Sequence, residues 1–283
     1  MTIPLLPSSP HGLTPENQHC IQRLLQYFPS SSQRSGTLPI NRLAAVLVLL
    51  YQHPSTSELY VLLTTRSKHL RTHAGQTACP GGRLDESDEG DHVRAAFREA
   101  NEEIALPLPG CVKEKGKGTE ESIHVLCTLD PFLSLHGLLV TPVIALLSDI
   151  SVLQHLKASE EEVSRIFSHP LRAVLDPVTY FASGIGSKML LAERGSEDWI
   201  YDPEYHHTSD TPHGSLHLYR NHRFRSVASP IKGLTSDILI KTAEIAYTQE
   251  TAFERYAPEQ VWKVEELVDL AIECANHSST ARK

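Results

Sequence analysis

Hydrophobic positions cluster at two different spacings along this chain. Leu43–Tyr51 and Glu58–Thr65 are apolar, β-branched and aromatic runs of strand length separated by His53-Pro54-Ser55, which predicts a hairpin. Ser122–Leu129 and Leu138–Leu147 predict two further strands. Helical spacing appears first near the N-terminus, where Thr14-Pro15-Glu16 supplies a cap and a first-turn proline. There Ile21, Leu24, Leu25 and Phe28 share one face. It returns over about 91–105, over about 235–248, and over about 258–276. The last of these opens on Pro258-Glu259 and keeps Val261, Val264, Leu267, Val268 and Ile272 in register. Short elements alternate with loops over 159–181. Residues 182–216 read as irregular, with Gly184, Gly186, Gly195, Pro203, Pro212 and several histidines.

Strands come first and helices are interspersed without regular βαβ alternation, so the expected class is α+β, a mixed sheet packed with helices. The expected organisation is an N-terminal extension over 1–37 with one amphipathic helix, a main domain over 38–250 with an irregular insertion at about 182–216, and a C-terminal helix and tail over 251–283.

Composition adds exclusions. The 283 residues suit one or two domains, and 26 − 34 gives a net charge of −8, which offers nothing global to nucleic acid or to an anionic membrane. No run approaches the roughly 18 apolar residues of a membrane span, and the first residues lack a secretory or transit pattern. Five scattered cysteines without Cys-x-x-Cys read as free thiols of a reducing, intracellular compartment. The chain ends Thr280-Ala281-Arg282-Lys283, not in a Ser-Lys-Leu address, so cytosol is the default expectation. Sixteen histidines are many; His206-His207, His213 and His217 lack acidic or cysteine partners at zinc spacing and are not read as a metal site. Cys79 reads as a small apolar filler, and Trp199 and Trp262 as packing residues.

The informative segment is Gly81-Gly82, an acidic loop to Asp91, and the helix that follows. At about 100° per residue, Val93, Ala96, Phe97, Ala100 and Ile104 fall within one arc, while Glu99, Glu102 and Glu103 fall in a second. One face therefore packs on the sheet and three carboxylates converge on the other. Like charges within one turn repel, and two of them lie near a helix C-terminus, the unfavourable end for anions. A cation there resolves the conflict, and hard oxygen donors suit Mg²⁺ or Mn²⁺. Arg98 can hold the loop against the helix through carbonyls or carboxylates. Asp85, Ser87, Glu89 and Gly90 imitate a calcium loop, but Ala96 stands where its bidentate Glu belongs, which excludes that reading. Upstream, Arg66, Lys68 and Arg71, with His69 and His73, form a basic loop. Cations joined to a divalent metal suit a polyphosphate ester.

Arg98-Glu99-Ala100-Asn101-Glu102-Glu103-Ile104-Ala105-Leu106 resembles the second half of the Nudix box, with Ala105 where that family has Gly. Counted from Gly82, the box's first Glu falls on Asp88, and the loop is about two residues longer than the family's. Leu62-Leu63-Thr64-Thr65-Arg66-Ser67, Leu70-Arg71 and His73-Ala74-Gly75-Gln76 before Pro80-Gly81-Gly82 resemble the signature of the coenzyme A subgroup of Nudix hydrolases. Val140–Val143, Tyr219–Phe224 and Gly233–Leu239 extend the likeness over roughly 38–250.

The resemblance implies a mixed sheet sandwiched between helices. It also implies metal-dependent hydrolysis of coenzyme A or acyl-coenzyme A to phosphopantetheine compounds and adenosine 3′,5′-bisphosphate. By position, Glu99, Glu102 and Glu103 become metal ligands and, with Arg98, the catalytic set. Arg66, Arg71, His73, Gln76, Gly81 and Gly82 become substrate-binding residues. Relatives of this subgroup are often peroxisomal or mitochondrial. Two alternatives stand beside it: another nucleoside diphosphate derivative, such as an oxidised nucleotide or NADH, and a non-catalytic nucleotide-binding module.

Overall fold

A computed structural model describes residues 12–30, 38–108, 122–183, 189–212 and 218–280. Gly184, Gly186, His213, His217, Cys111 and the last three residues lie outside them. The elements in order are α1 (Pro15–Leu25), β1 (Leu43–Gln52), β2 (Leu59–Arg66), β3 (Thr77–Ala78), β4 (Gly81–Arg83), α2 (His92–Ile104), β5 (Ile123–Thr128) and β6 (Phe132–Leu133). They continue with β7 (Leu139–Leu147), β8 (Val163–Pro170), α3 (Pro177–Ala182), β9 (His206–Pro212), β10 (Leu218–Phe224), β11 (Ile231–Lys232), α4 (Leu234–Tyr247) and α5 (Val264–Thr280).

β1 is the axis of a mixed sheet. It runs parallel to β7 from Leu43↔Leu139 to Leu50↔Leu146. On its other edge it pairs antiparallel first with β4 (Val46↔Gly81) and then with β2 (Leu50↔Val61). β8 and β3 pair with β2, and β5 and β6 with β7. The apolar run of β1 is continuous because both its faces are covered. Val48 and Leu50 face a core shared with Ile21 and Leu24 of α1 and Leu239 and Ala243 of α4. Leu47, Leu49 and Tyr51 face a second core with Phe97, Ala100 and Ile104 of α2 and Val268 of α5. The architecture is α+β, a mixed sheet between helices, as expected.

The structure refines the local expectations at three places. The N-terminal amphipathic helix forms as α1 and packs into the core, and Arg23 reaches the Ala246 carbonyl of α4 at 2.8 Å. It stops at Leu25, leaving Phe28 74% exposed. Part of the stretch read as irregular is a strand: β9 pairs with β10 from His206↔Phe224 to Pro212↔Leu218, a polar ribbon whose lack of apolar alternation hid it. The last helix begins at Val264 and not at Pro258, because Glu259 takes a left-handed φ of 60° that a helix cannot contain. No helix among the described residues is long and apolar enough to cross a membrane.

Candidate functional site

Helix α2 starts where the Asp91 side chain accepts the Val93 and Arg94 amides, and buries Ala95, Ala96, Phe97, Ala100 and Ile104. It ends at Ala105, which takes φ 54° and donates its amide back to Asn101 at 2.9 Å. A left-handed C-cap usually carries Gly, so the alanine here bears the strain directly instead of avoiding positive φ. Beyond it, the Ile104 and Glu103 carbonyls accept the Lys157 and Ser159 amides at 3.0 and 2.8 Å. The loop after β7 is thereby tied to the end of α2.

The three box carboxylates occupy different environments. Glu102 is exposed, Glu99 is mostly covered, and Glu103 is buried at 4% exposure. Glu103 accepts the Gly81 amide at 3.3 Å and lies 3.7 Å from Arg66. Burial nevertheless pushes its carboxyl up to about 8, against the opposing pull of Arg66 and Gly81. Burial also raises Glu99, which Arg98 only partly offsets. Glu162, tied by its carbonyl to the Ser67 amide at 2.8 Å, adds its charge to both. This fourth carboxylate was missed, since it lies far along the chain with no local motif.

Arg98 organises the acidic loop. Its Nε and Nη2 form a bidentate pair with Asp88 at 3.0 and 2.9 Å, and Nη2 also donates to the Arg83 carbonyl at 3.1 Å. Its Nη1 donates to Glu99 at 3.0 Å and lies 3.3 Å from Glu102. Asp88 is fully buried, and the Arg98 guanidinium holds its carboxyl below the usual carboxylate range. Asp88 also accepts the Asp85 amide, closing a capping box over the short turn Glu86–Asp88. The residue at the box's first Glu position therefore anchors the arginine.

The two glycines have separate reasons. Gly81 has φ 150°, and a Cβ there would stand 2.4 Å from the Ala45 carbonyl of β1. At Gly82 a Cβ would stand 2.4 Å from the Glu99 carboxyl, so only glycine admits Glu99 this closely.

Among the described residues, no three His, Cys, Asp or Glu side chains stand ready as a metal cage. Arg98 Nη1 bridges Glu99 and Glu102, and Glu103 is turned to Gly81. The donor chemistry still fits a hard divalent cation: two partly or wholly buried carboxyls sit above their ordinary protonation range, with a third and Glu162 beside them. A bound cation would favour the ionised form of Glu99 and Glu103.

Beside Gly81 and Gly82 opens a cavity of about 480 Å³. Of the expected binding residues it collects Arg66, His73, Gln76, Gly81 and Gly82. A register shift between Thr65 and Arg66 where β2 meets β8 re-aims Arg66. His73 takes φ 56° and its Nδ1 lies 3.3 Å from Gln76 Oε1. Arg71 does not line the cavity; it is exposed on the turn, and Lys68 is spent on Glu197 at 2.8 Å. The lining also includes Asn221 and Arg223 of β10, within the Tyr219–Phe224 stretch noted above, and two residues not singled out from the sequence, Tyr201 before β9 and Lys232 of β11. Burial and neighbouring Arg223 lower the Lys232 ammonium. Tyr201 stacks on His207 at 4.5 Å and lies under Arg223. Cys79 is buried in the floor with its thiol pushed up to about 12, which keeps it unreactive. Trp199 is a core residue, whereas Trp262 stacks on Tyr256 but stays 53% exposed.

Comparison with known proteins agrees in family. The uncharacterized Nudix hydrolase NudL of Shigella flexneri serotype 5b (strain 8401) is 40% identical over 139 residues, covering 48% of this chain and 62% of the relative. NudL of Escherichia coli (strain K12) is 39% identical over 136 residues, covering 48% and 60%. The chain thus spans under two thirds of the length of these relatives. Among solved structures, the NUDIX domain of Shewanella oneidensis NrtR, crystallised with ADP ribose, is 25% identical. It covers 54% of this chain and 84% of that one, with a TM-score of 0.33. The NUDIX domain model matches residues 41–182, half of the chain and all of the box-bearing sheet and helix, and the chain belongs to the NUDIX family.

Proposed function

We propose that this protein hydrolyses the diphosphate of coenzyme A and its acyl or oxidised derivatives, releasing phosphopantetheine compounds and adenosine 3′,5′-bisphosphate. One observation carries the reading. The residues of the coenzyme A-type signature, Arg66, His73, Gln76, Gly81 and Gly82, line one cavity beside the carboxylates of α2. Arg223 and Lys232 line the same cavity and add positive charge. Several cations lining one cleft suit a ligand with several phosphate charges.

Glu99, Glu102 and Glu103 are the residues that would hold Mg²⁺ or Mn²⁺, with Glu162 adjacent. The metal, when bound, neutralises the diphosphate and lowers the pKa of water. The chain's own groups do the rest. Arg66, beside Glu103 and at the cavity wall, places a phosphate next to the carboxylates. Water attacks one phosphorus in line, the bridging P–O bond breaks, and the water proton passes to a carboxylate, for which Glu102 and Glu103 are the candidates. Arg98 keeps the acidic loop and Glu99 in place.

The test uses purified protein with Mg²⁺ or Mn²⁺ and coenzyme A, NADH and an oxidised nucleoside triphosphate side by side. Release of adenosine 3′,5′-bisphosphate from coenzyme A in preference to cleavage of the others, lost in Glu103→Gln, is expected. No product from coenzyme A across a metal series, or undiminished activity of Glu103→Gln, sinks the proposal.

A further inference from the structure

β10 is the middle strand of the small sheet. Tyr219, Asn221 and Arg223 alternate along one of its faces and line the larger of two adjoining cavities, of about 480 and 280 Å³. At Arg223 the pairing puts Lys232 of β11 directly opposite on one side and His207 of β9 on the other. A cation opposite a cation weakens a sheet, and no Asp or Glu lines the larger cavity to offset it.

The bonding of Arg223 differs from that of its neighbour Arg220, which is paired with Asp210 at 2.8 Å and Glu254 at 3.0 Å. Arg223 donates to no carboxylate and bonds through Nη1 alone. Its acceptors are Ser209 Oγ at 2.8 Å, the Asn221 carbonyl at 3.2 Å and His207 Nδ1 at 3.4 Å. Its guanidinium also lies 5.3 Å over the Tyr201 ring. That ring is itself fixed, stacked on His207 and set edge-on at 5.1 Å against the buried Trp199. Nε and Nη2 of Arg223 make no hydrogen bond among the described residues. An arginine tied by one nitrogen and by its flat face, with two donors open, keeps the fork that a phosphate accepts. The ties matter because Lys232 repels the guanidinium, and a loose arginine would lose rotamer freedom on binding.

We propose that Ser209 and Tyr201 are positioning residues, which hold Arg223 so that its Nε and Nη2 meet a phosphate of the substrate in the larger cavity. Both act on the substrate through Arg223. They lie outside residues 41–182, so the polar β9–β10 ribbon supplements the NUDIX domain with a prepared phosphate contact. The inference rests on the reading that a substrate with a diphosphate occupies this cavity, and not on which one.

Two readouts test it. Steady-state kinetics with coenzyme A should show KM raised about threefold in Ser209→Ala and in Tyr201→Leu, with kcat within about twofold. Tyr201→Phe keeps the ring and should restore KM. In the Arg223→Met background Ser209→Ala should add nothing, because the two act through one guanidinium. Calorimetric titration with adenosine 5′-diphosphate, with chelator present and no turnover, should weaken in the same order. Arg223→Met loses most, Ser209→Ala and Tyr201→Leu lose less, and Tyr201→Phe loses least. Urea midpoints identify any variant that loses affinity by losing the fold. Cleavage of coenzyme A with KM unmoved in Ser209→Ala and Tyr201→Leu overturns this inference and leaves the proposed reaction standing. So does a Ser209→Ala effect that multiplies in full with that of Arg223→Met. No cleavage of coenzyme A, with binding of adenosine 5′-diphosphate weakened in the stated order, removes the proposed reaction and keeps the positioning role. Equal titrations in every variant without cleavage overturn both.

Discussion

Replacing Gly82 by alanine separates the geometry of the carboxylates from the stability of the fold. The new Cβ would lie 2.4 Å from the Glu99 Cδ and Oε2, and ordinary contact begins at 3.4 Å. The carboxyl must therefore retreat by about 1 Å. Glu99 is the far end of a flexible side chain, and Gly82 is not among the residues with positive φ, so the backbone accepts the change. A displacement of about 1 Å at a reacting centre costs on the order of 100-fold in rate. Gly81→Ala meets different atoms: the Ala45 carbonyl at 2.4 Å and Val46 Cα at 2.6 Å, both backbone of β1, with φ at 150°. That substitution should cost roughly 2–4 kcal/mol of stability by forcing β4 off β1. The assay pairs hydrolysis of coenzyme A with urea unfolding. Gly82→Ala should lose about 100-fold in kcat/KM while its stability stays within about 1 kcal/mol. Near-normal activity in Gly82→Ala, or a loss of stability equal to that of Gly81→Ala, would refute the role assigned to this contact.

Ala105→Gly relieves the left-handed cap of α2 and should stabilise the protein by about 1 kcal/mol, read as a higher urea midpoint. Asp88→Ala strips the bidentate partner from Arg98 and should cost about 1–3 kcal/mol in urea unfolding together with most activity, because Glu99 and Glu102 remain as weaker anchors. His169 is fully buried, its ring nitrogens have no partner, and burial lowers it to about 3 from 6.5. Its depressed folded pKa means that the stability it allows is present above pH 6.5 and is lost as pH falls. By pH 5 the loss is about 2 kcal/mol, so the drop in unfolding free energy between pH 7 and 5 should shrink by about that amount in His169→Leu. Arg223→Met removes a cation from the cavity wall and should raise KM for coenzyme A about tenfold with a smaller change in kcat, measured by steady-state kinetics.

Periodicity exposed β1, β2, β5, β7 and α2, since both faces of β1 are covered and one face of α2 is buried, but not β8 or the short strands β3, β4 and β6. It did not expose β9, whose sequence His206–Pro212 is polar throughout and is held by pairing with β10. Nor did it place the last helix, because the turn at Glu259 is set by tertiary partners: Gln260 Oε1 accepts the Arg220 and Ala257 amides at 2.9 and 3.0 Å. At the site, local spacing brought together Glu99, Glu102 and Glu103, and their real inequality came from packing. Glu103 turns under β4 while Glu102 stays in solvent. Arg71 belonged to the right loop but does not line the cavity; Arg223 lay in a stretch marked only by its likeness to the subgroup, and Lys232 and Glu162 arrive from distant segments with no spacing that could announce them. The histidines follow the same rule. His206 and His222 are stacked and linked at 3.1 Å inside an aromatic cluster, both lowered by burial, a structural use invisible in composition.

A net charge of −8 opposes an anionic ligand only if the acidic residues act together, and their placement shows that they do not. Eight of them lie between positions 85 and 103. Four of these, Asp85, Asp88, Glu99 and Glu102, are gathered within 2.9 to 3.8 Å of a single arginine, Arg98. Asp91 caps α2, and Glu89 pairs with Arg94 at 2.8 Å. Most of the acidic excess is thus answered locally and projects little field beyond a Debye length of about 8 Å. Glu86 stands exposed on its turn, and the two carboxyls that burial shifts upward are Glu99, which Arg98 partly offsets, and Glu103, which Arg66 partly offsets. A cation placed there completes the charge balance at one end of the larger cavity. Arg66, Arg223 and Lys232 set the opposite sign on its walls. An acidic protein can therefore draw a polyphosphate to this cleft, because the local field there is decided by a few buried groups and not by the sum over the surface.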